Sequence, residues 1–266
     1  PVGFPRRTVR APQDGKVLLA GSGQVLLELK SEPLELKAGF PGEVIDLLPE
    51  RGAVIQATGA LIQGVWGNGR VDFGLMYALS KEPDHQLTAD QLEVSLRGAV
   101  VLAGFVGDAE TLKTAEELPI RALILSCIDP LLLPVATRLR IPVLLLDGFS
   151  RRPMNTATFN LLTTNEQREV AVNAAKWDRF AGVRPEVMIP LPASGSLQMP
   201  PEALEFTPGQ KVRVLRAPFA GQIGTLEHLL PGKQTLPSGI QTQAAQVRLE
   251  NEEKALVPLA NLEVIA

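Results

Sequence analysis

Cysteine is almost absent from this 266-residue sequence. Cys127 is the only one, which excludes a disulfide framework and a cysteine-ligated zinc cluster. Histidine is nearly as scarce, and His85 and His228 lie too far apart in sequence to suggest a zinc quartet, so no metal is expected. No apolar run approaches the ~20 residues that span a bilayer, and no signal-peptide pattern opens the chain. A soluble, cytoplasmic protein without a membrane partner is therefore expected. An excess of either charge is also missing: 26 Lys and Arg face 29 Asp and Glu, for a net charge of −3. That balance removes the simplest reason to expect strong non-specific binding to nucleic acid. Glycine and proline, by contrast, are plentiful, at 23 and 22 residues. The length leaves room for two or three modest domains at ~100 to 200 residues each.

Residues 1–80 are punctuated by Gly and Pro at short intervals, with β-rich stretches between them such as Lys16 to Leu19, Gln24 to Leu29 and Glu43 to Leu48. This spacing predicts many short strands. Asp14-Gly15, Phe40-Pro41-Gly42 and Arg51-Gly52 are turn signals. Trp66-Gly67-Asn68-Gly69 contains the Asn-Gly pair favoured in two-residue hairpins, where both central residues need positive φ. Trp66 and Tyr77 flank that hairpin, either closing a small core or marking a partner-binding face.

From Gly98 the period changes. Ala99 to Phe105, Arg121 to Ser126 and Ile141 to Leu146 are continuous apolar runs, separated by helical patterns at Asp108 to Leu118 and Pro130 to Arg140, with another over Asn155 to Lys176. Strands apolar on both faces are what a parallel sheet covered by helices requires. The order β-α-β-α-β-α predicts at least three parallel strands over residues 81–189. Thr88 to Gln91 carries a weak capping box for a short helix before them. Residues 190–203, rich in Pro and small polar residues, read as a linker. Residues 204–266 return to a β pattern, with strands at Lys211 to Leu215, Ile223 to Leu226, Ala245 to Leu249 and Ala255 to Pro258, and a long loop from Leu229 to Thr242.

Three resemblances follow. Phe206-Thr-Pro-Gly209-Gln-Lys-Val-Arg-Val214, Ala217-Pro-Phe-Ala-Gly221-Gln-Ile-Gly224, Val257-Pro-Leu259 and Leu262-Glu263 resemble a KOW-type SH3-like barrel, as found in NusG-family and ribosomal proteins. The resemblance implies an RNA or ribosome contact through a loop carrying Arg216, Phe219 and Gly221. Six basic and six acidic residues over 204–266 weigh against a strong one. Val9 to Val17 and Leu36 to Ile45 resemble the repeated halves of a biotinyl or lipoyl barrel-sandwich hybrid. Such a carrier would bear its modified lysine near Ser31, beside Lys30, but the surrounding carrier motif is missing. The middle segment, through Gly98-Ala-Val-Val-Leu, Ala122-Leu-Ile-Leu-Ser126 and Ile141-Pro-Val-Leu-Leu145, resembles swivelling β/β/α domains. Neither histidine falls within residues 98–150 to serve as a phosphohistidine.

The fold expected is thus multidomain α+β: a barrel-sandwich hybrid over 1–80, a small swivelling-type parallel α/β domain over 81–189 and an SH3-like β-barrel over 204–266. In open parallel sheets ligands collect beyond the carboxyl ends of the strands. The three loops there supply Asp108, Ser126, Cys127, Asp129, Asp147, Ser150, Arg151 and Arg152. Ser126, Asp147, Ser150, Arg151 and Arg152 are the candidate contacts for a small anion. The competing reading makes Asp108 and Asp129 plain helix caps and the arginine pair a solvated loop. Cys127 reads as a small buried hydrophobe, the alternative being a strand-end nucleophile. No set of residues completes a roster of nucleophile, base and charge stabiliser, so no catalytic residue and no cofactor are expected. The function read from the sequence is a non-enzymatic adaptor or scaffold for protein partners. Its alternatives are an RNA- or ribosome-associated factor, and an enzyme or small-anion sensor at the strand-end loops.

Overall fold

The structure, a computed structural model, describes residues 9–29, 38, 40–178, 180–192 and 205–265. The proposed linker lies mostly, and Lys30 and Ser31 wholly, outside the described residues. The chain divides into two compact units, Pro1–Ala38 and Gly39–Ala266.

In the first unit, β1 (Gly15–Gly21) and β2 (Gln24–Leu29) form an antiparallel hairpin. Its two-residue turn is Ser22-Gly23, with φ of 48° and 78°, the paired positive angles of a tight hairpin. The second unit opens with a hairpin of matching design, β3 (Glu43–Leu48) and β4 (Gly52–Gln56). Each carries a one-residue bulge in its first strand, at Leu18 and at Ile45. Each also begins with a glycine against the partner strand: a Cβ on Gly15 would stand 2.4 Å from the Glu28 carbonyl oxygen, and one on Gly42 2.7 Å from that of Gln56.

The body of the second unit is a mixed sheet built from β5 (Gly59–Gln63), β6 (Trp66–Gly67), β7 (Val71–Ala78), β8 (Gln86–Leu87), β9 (Ala99–Val106), β10 (Ala122–Ile128), β11 (Val143–Gly148), β12 (Glu169–Asn173) and β13 (Glu186–Pro190). The order is β5-β13-β12-β7-β9-β10-β11-β6, with β8 extending the sheet alongside the end of β9. Strands β7, β9, β10 and β11 run parallel. The strands at 59–78, which the sequence reading groups with the N-terminal β segment, thus pair into the central sheet.

Helices α1 (Ala109–Glu117) and α2 (Leu133–Arg138) connect the parallel strands, and α3 (Thr156–Thr164) follows β11. Alternation along the strands sorts the core into two layers. Val101, Ala103, Leu123, Leu125, Val143 and Leu145 pack with Leu112 and Ala115 of α1 and Ala136 of α2. Val100, Leu102, Ile124, Leu144 and Leu146 face the other way, onto Leu162 of α3. Burial on both faces is why these strands are continuously apolar, each large side chain contributing roughly 1.5 to 3 kcal/mol.

Two local expectations are corrected. The helix expected over Asn155 to Lys176 stops at Thr164, and β12 follows. Thr163 and Thr164 turn their hydroxyls back to the carbonyls of Phe159 and Asn160 at 2.8 and 2.6 Å, Asn165 caps the end, and Gln167 takes φ of 62°. Val170 and Val172 then bury as strand residues. Asn68-Gly69 is not a hairpin tip, because β6 pairs with β11 while β7 lies between β12 and β9. Asn68 is instead buried: its Nδ2 donates to the Ile141 carbonyl at 2.8 Å, and its Oδ1 accepts from Val143 N at 3.1 Å. The amide thereby pins the α2–β11 connection to the end of β6.

The C-terminal part is a second sheet of β14 (Lys211–Val214), β15 (Ile223–Leu229), β18 (Ala244–Leu249), β19 (Lys254–Pro258) and β20 (Leu262–Ile265). A short pair, β16 (Gln234–Thr235) and β17 (Gln241–Thr242), lies within the segment expected as a loop. The order β19-β18-β15-β14-β20 is antiparallel throughout. Among the described residues it leaves an open sheet, with β19 and β20 as edges, and no closed barrel forms. Val212, Val214, Leu226, Val247, Val257 and Leu262 make its core.

Candidate functional site

The carboxyl ends of β9, β10 and β11 lie side by side, as parallel pairing demands. Asp108 ends the first loop as the cap of α1, its Oδ1 accepting from Thr111 N at 2.8 Å. Asp129 caps the 3₁₀ turn before α2, accepting from Leu131 N at 2.9 Å. Asn155 does the same for α3 through Thr158 N at 2.8 Å. The capping reading of both aspartates therefore describes their bonds, one backbone amide at each terminus being satisfied by its cap.

Beyond these ends lies a groove of about 390 Å³. Its walls are Gln86 from β8, Phe105 and Gly107 from the end of β9, and Asp129 and Pro130 after β10. Ser150 and Arg151 after β11 complete it. Arg151 is exposed, and its guanidinium carbon sits 5.7 Å from the centre of the Phe105 ring. Trp66 packs edge-on against Phe149, with centroids 6.4 Å apart, and so supports the same loop from the sheet edge.

Only Ser150 and Arg151 of the five strand-end candidates line this groove. Ser126, Asp147 and Arg152 belong to a buried network that joins the central sheet to the C-terminal sheet. Ser126 Oγ lies 3.2 Å from Asp147 Oδ2 and 3.3 Å from the Arg152 carbonyl oxygen. Asp147 Oδ1 faces Arg213 Nη1 at 3.6 Å, with the two side chains 3% and 8% exposed. Arg213 also donates through Nε and Nη2 to Glu263 Oε2, at 3.0 and 2.7 Å. Arg184 donates to the other oxygen of Glu263 at 2.5 Å. Arg152 Nη1 donates to the Ala220 carbonyl at 3.1 Å, inside the loop that the KOW resemblance singles out.

The C-terminal strands supply their half of this network through simple alternation. Val212 and Val214 face their own core, so Arg213 between them faces outward. Leu262 and Val264 do the same on β20, which leaves Glu263 directly across from Arg213 in register. Burial pushes the Asp147 carboxyl above the ordinary carboxylate range; the Arg213 charge, Ser126 and Asn155 pull it back only in part. Burial likewise raises the Cys127 thiol, which lies wholly inside the sheet beside Ser126. That placement fits the small-hydrophobe reading and denies the thiol a nucleophile's access.

Of the other loop candidates, Arg216 is exposed. Phe219 is half-buried against the C-terminal core, so its ring is not a free stacking platform. Gly221 takes φ of 84° and donates its N–H to Val214 at 2.7 Å, turning the chain between β14 and β15. Sequence reasoning missed Arg213 and Glu263 because charged residues alternating with apolar ones read as a solvated strand face, and Arg184 because its partner Glu263 lies 79 residues on. It missed Phe105 because it does not stand out from its apolar run, and Gln86 because nothing in its short polar stretch records that it pairs beside β9.

Among the described residues, no cluster of His, Cys, Asp and Glu could hold a metal ion, and no helix is long and apolar enough to cross a membrane. No protein-family model, curated protein or solved structure matches this chain.

Proposed function

We propose that the chain is a non-enzymatic multidomain adaptor that binds protein partners. The observation that carries this reading is the apolar surface of its N-terminal hairpins. Val17, Leu18, Leu19, Val25 and Leu26 are exposed at consecutive positions, hence on both faces of β1–β2, and Val44, Ile45, Leu47 and Leu48 repeat the pattern on β3. A two-stranded hairpin is marginal alone in water, and contiguous apolar surface on a soluble chain favours a protein interface. The matched bulges and glycines of the two hairpins, each taken by itself, support the barrel-sandwich-hybrid reading made for residues 1–80.

The C-terminal meander, whose last strand returns beside its first, supports a KOW-type, SH3-like reading of residues 205–265. RNA contact through that unit is the weaker alternative, because its charges balance, its loop aromatic is half-buried and Arg152 occupies a loop carbonyl. The strand-end region lends no support to catalysis: its thiol is buried and its carboxylates cap helices or pair with arginine.

The test is recovery of the intact protein from its native extract with and without nuclease, run beside a Leu19→Lys, Leu26→Lys variant. A stoichiometric, nuclease-resistant protein partner that the variant loses is the expected result. Nuclease-sensitive recovery of ribosomal or transcription proteins, or a partner indifferent to the hairpin charges, would overturn the adaptor reading.

A further inference from the structure

We propose that the groove beyond β9, β10 and β11 is a binding site for a small organic monocarboxylate, its carboxylate held by Arg151 and Ser150 and its apolar body lying against Pro130, beside the ring of Phe105 that Arg151 covers. This site is separate from the hairpin surfaces and stands or falls independently of the adaptor reading. Its position is where open parallel sheets bind ligands, and its volume of about 390 Å³ is within the range of small-molecule pockets.

The ligand class follows from charge. Arg151 is the one cation lining the groove, and it makes no ion pair and no side-chain hydrogen bond among the described residues. Phe105 holds its guanidinium by its π face, which leaves the edge donors of the planar fork free for a bidentate carboxylate. At the flanking helix starts Asp108 and Asp129 each take one amide, Thr111 N and Leu131 N, and place a carboxylate where an anion would sit. Asp129 lines the groove itself, so a second negative charge on the ligand would meet repulsion. One positive charge and a carboxylate in the same groove favour a monoanion over a phosphate ester or a nucleic-acid backbone. Pro130 and the small part of Phe105 left exposed beside Arg151 offer an apolar wall to the ligand body, and the Gln86 amide offers hydrogen-bond donors and an acceptor at its rim.

The experiment titrates the full chain with benzoate and, separately, with inorganic phosphate, read by calorimetry and by amide shifts of residues 104–107 and 149–152. Saturable benzoate binding on the order of 1 mM is expected for so small a probe. Phosphate is expected to bind at least about tenfold more weakly. Arg151→Gln is expected to weaken benzoate by about tenfold or more with the melting temperature unchanged, and Arg151→Lys to restore only part, since it keeps the charge and loses the fork. Absence of saturation with benzoate, equal binding of phosphate, or benzoate binding that survives Arg151→Gln would each overturn the proposal.

Discussion

Replacing Arg213 with methionine is expected to destabilise the protein by roughly 3 to 5 kcal/mol, the cost of removing one partner from a buried ionic set. Methionine keeps the apolar stem but ends before the guanidinium, so the loss combines the missing charge and hydrogen bonds with a small void where the fork lay. Asp147, at 3% exposure, would keep Ser126 but lose the one cation that faces it among the described residues, and Glu263 would keep Arg184 alone among them. Urea unfolding of the full chain measures the effect, and a loss below about 1 kcal/mol would show that the network carries little. The double variant Arg213→Met, Asp147→Asn is expected to recover part of the loss, because the neutral amide no longer needs a counter-charge.

The same pair sets a pH dependence whose sign is fixed. The Asp147 carboxyl is raised in the folded protein, so the fold binds its proton more tightly than the unfolded chain does. This contribution to stability is therefore fully present below the ordinary carboxylate range and is lost as pH rises through the raised value. Arg213 is the largest influence pulling that value down. Its removal widens the window upward, so Arg213→Met is expected to cost more at pH 8 than at pH 5. Because Arg213 also pairs with Glu263, the same comparison in an Asp147→Asn background isolates the Asp147 contribution, and the difference between pH 5 and pH 8 is expected to shrink there. An equal cost at both values would mean that Asp147 is not the group left stranded.

How much of this was legible beforehand follows from the range of each interaction. Strands β9, β10 and β11 could be read directly, because burial on both faces writes itself into every residue of a run. The strand-end location of the groove followed from that reading. Strand partners did not: β5 pairs with β13 across more than a hundred residues, and nothing in Gly59–Gln63 records the partner. Arg151 and Arg152 show the limit most sharply. They are adjacent and chemically identical, yet one lies on Phe105 at the groove and the other reaches Ala220, 68 residues on. Only a distant carbonyl distinguishes them. Asn68-Gly69 misled for a related reason, since the dipeptide that suits a tight turn also supplies an amide able to satisfy several buried backbone groups at once.

Gly104→Ala is expected to cost roughly 3 kcal/mol or more, an overpacking effect at the severe end of its range. A Cβ at Gly104 would stand 2.1 Å from the His85 carbonyl oxygen, with the His85 carbonyl carbon and amide nitrogen at 3.1 and 3.2 Å. All three atoms are backbone, so no rotamer change relieves the clash, and the segment of His85, Gln86 and Leu87 must leave β9. That would break the 2.9 Å bond from Phe105 N to the His85 carbonyl and uncover Leu87, which is fully buried. Gly107 is the informative comparison. A Cβ there meets only side-chain atoms, Phe105 Cε1 at 2.9 Å and Gln86 Nε2 at 3.4 Å, in a half-exposed loop. Gly107→Ala is expected to cost below about 1 kcal/mol, because those ends can shift, while displacing two walls of the groove. The two variants should therefore separate in opposite senses: Gly104→Ala in urea midpoint, Gly107→Ala in benzoate affinity with the midpoint nearly kept. Equal stability losses would mean that β8 is held to β9 less firmly than the 2.1 Å approach at Gly104 implies.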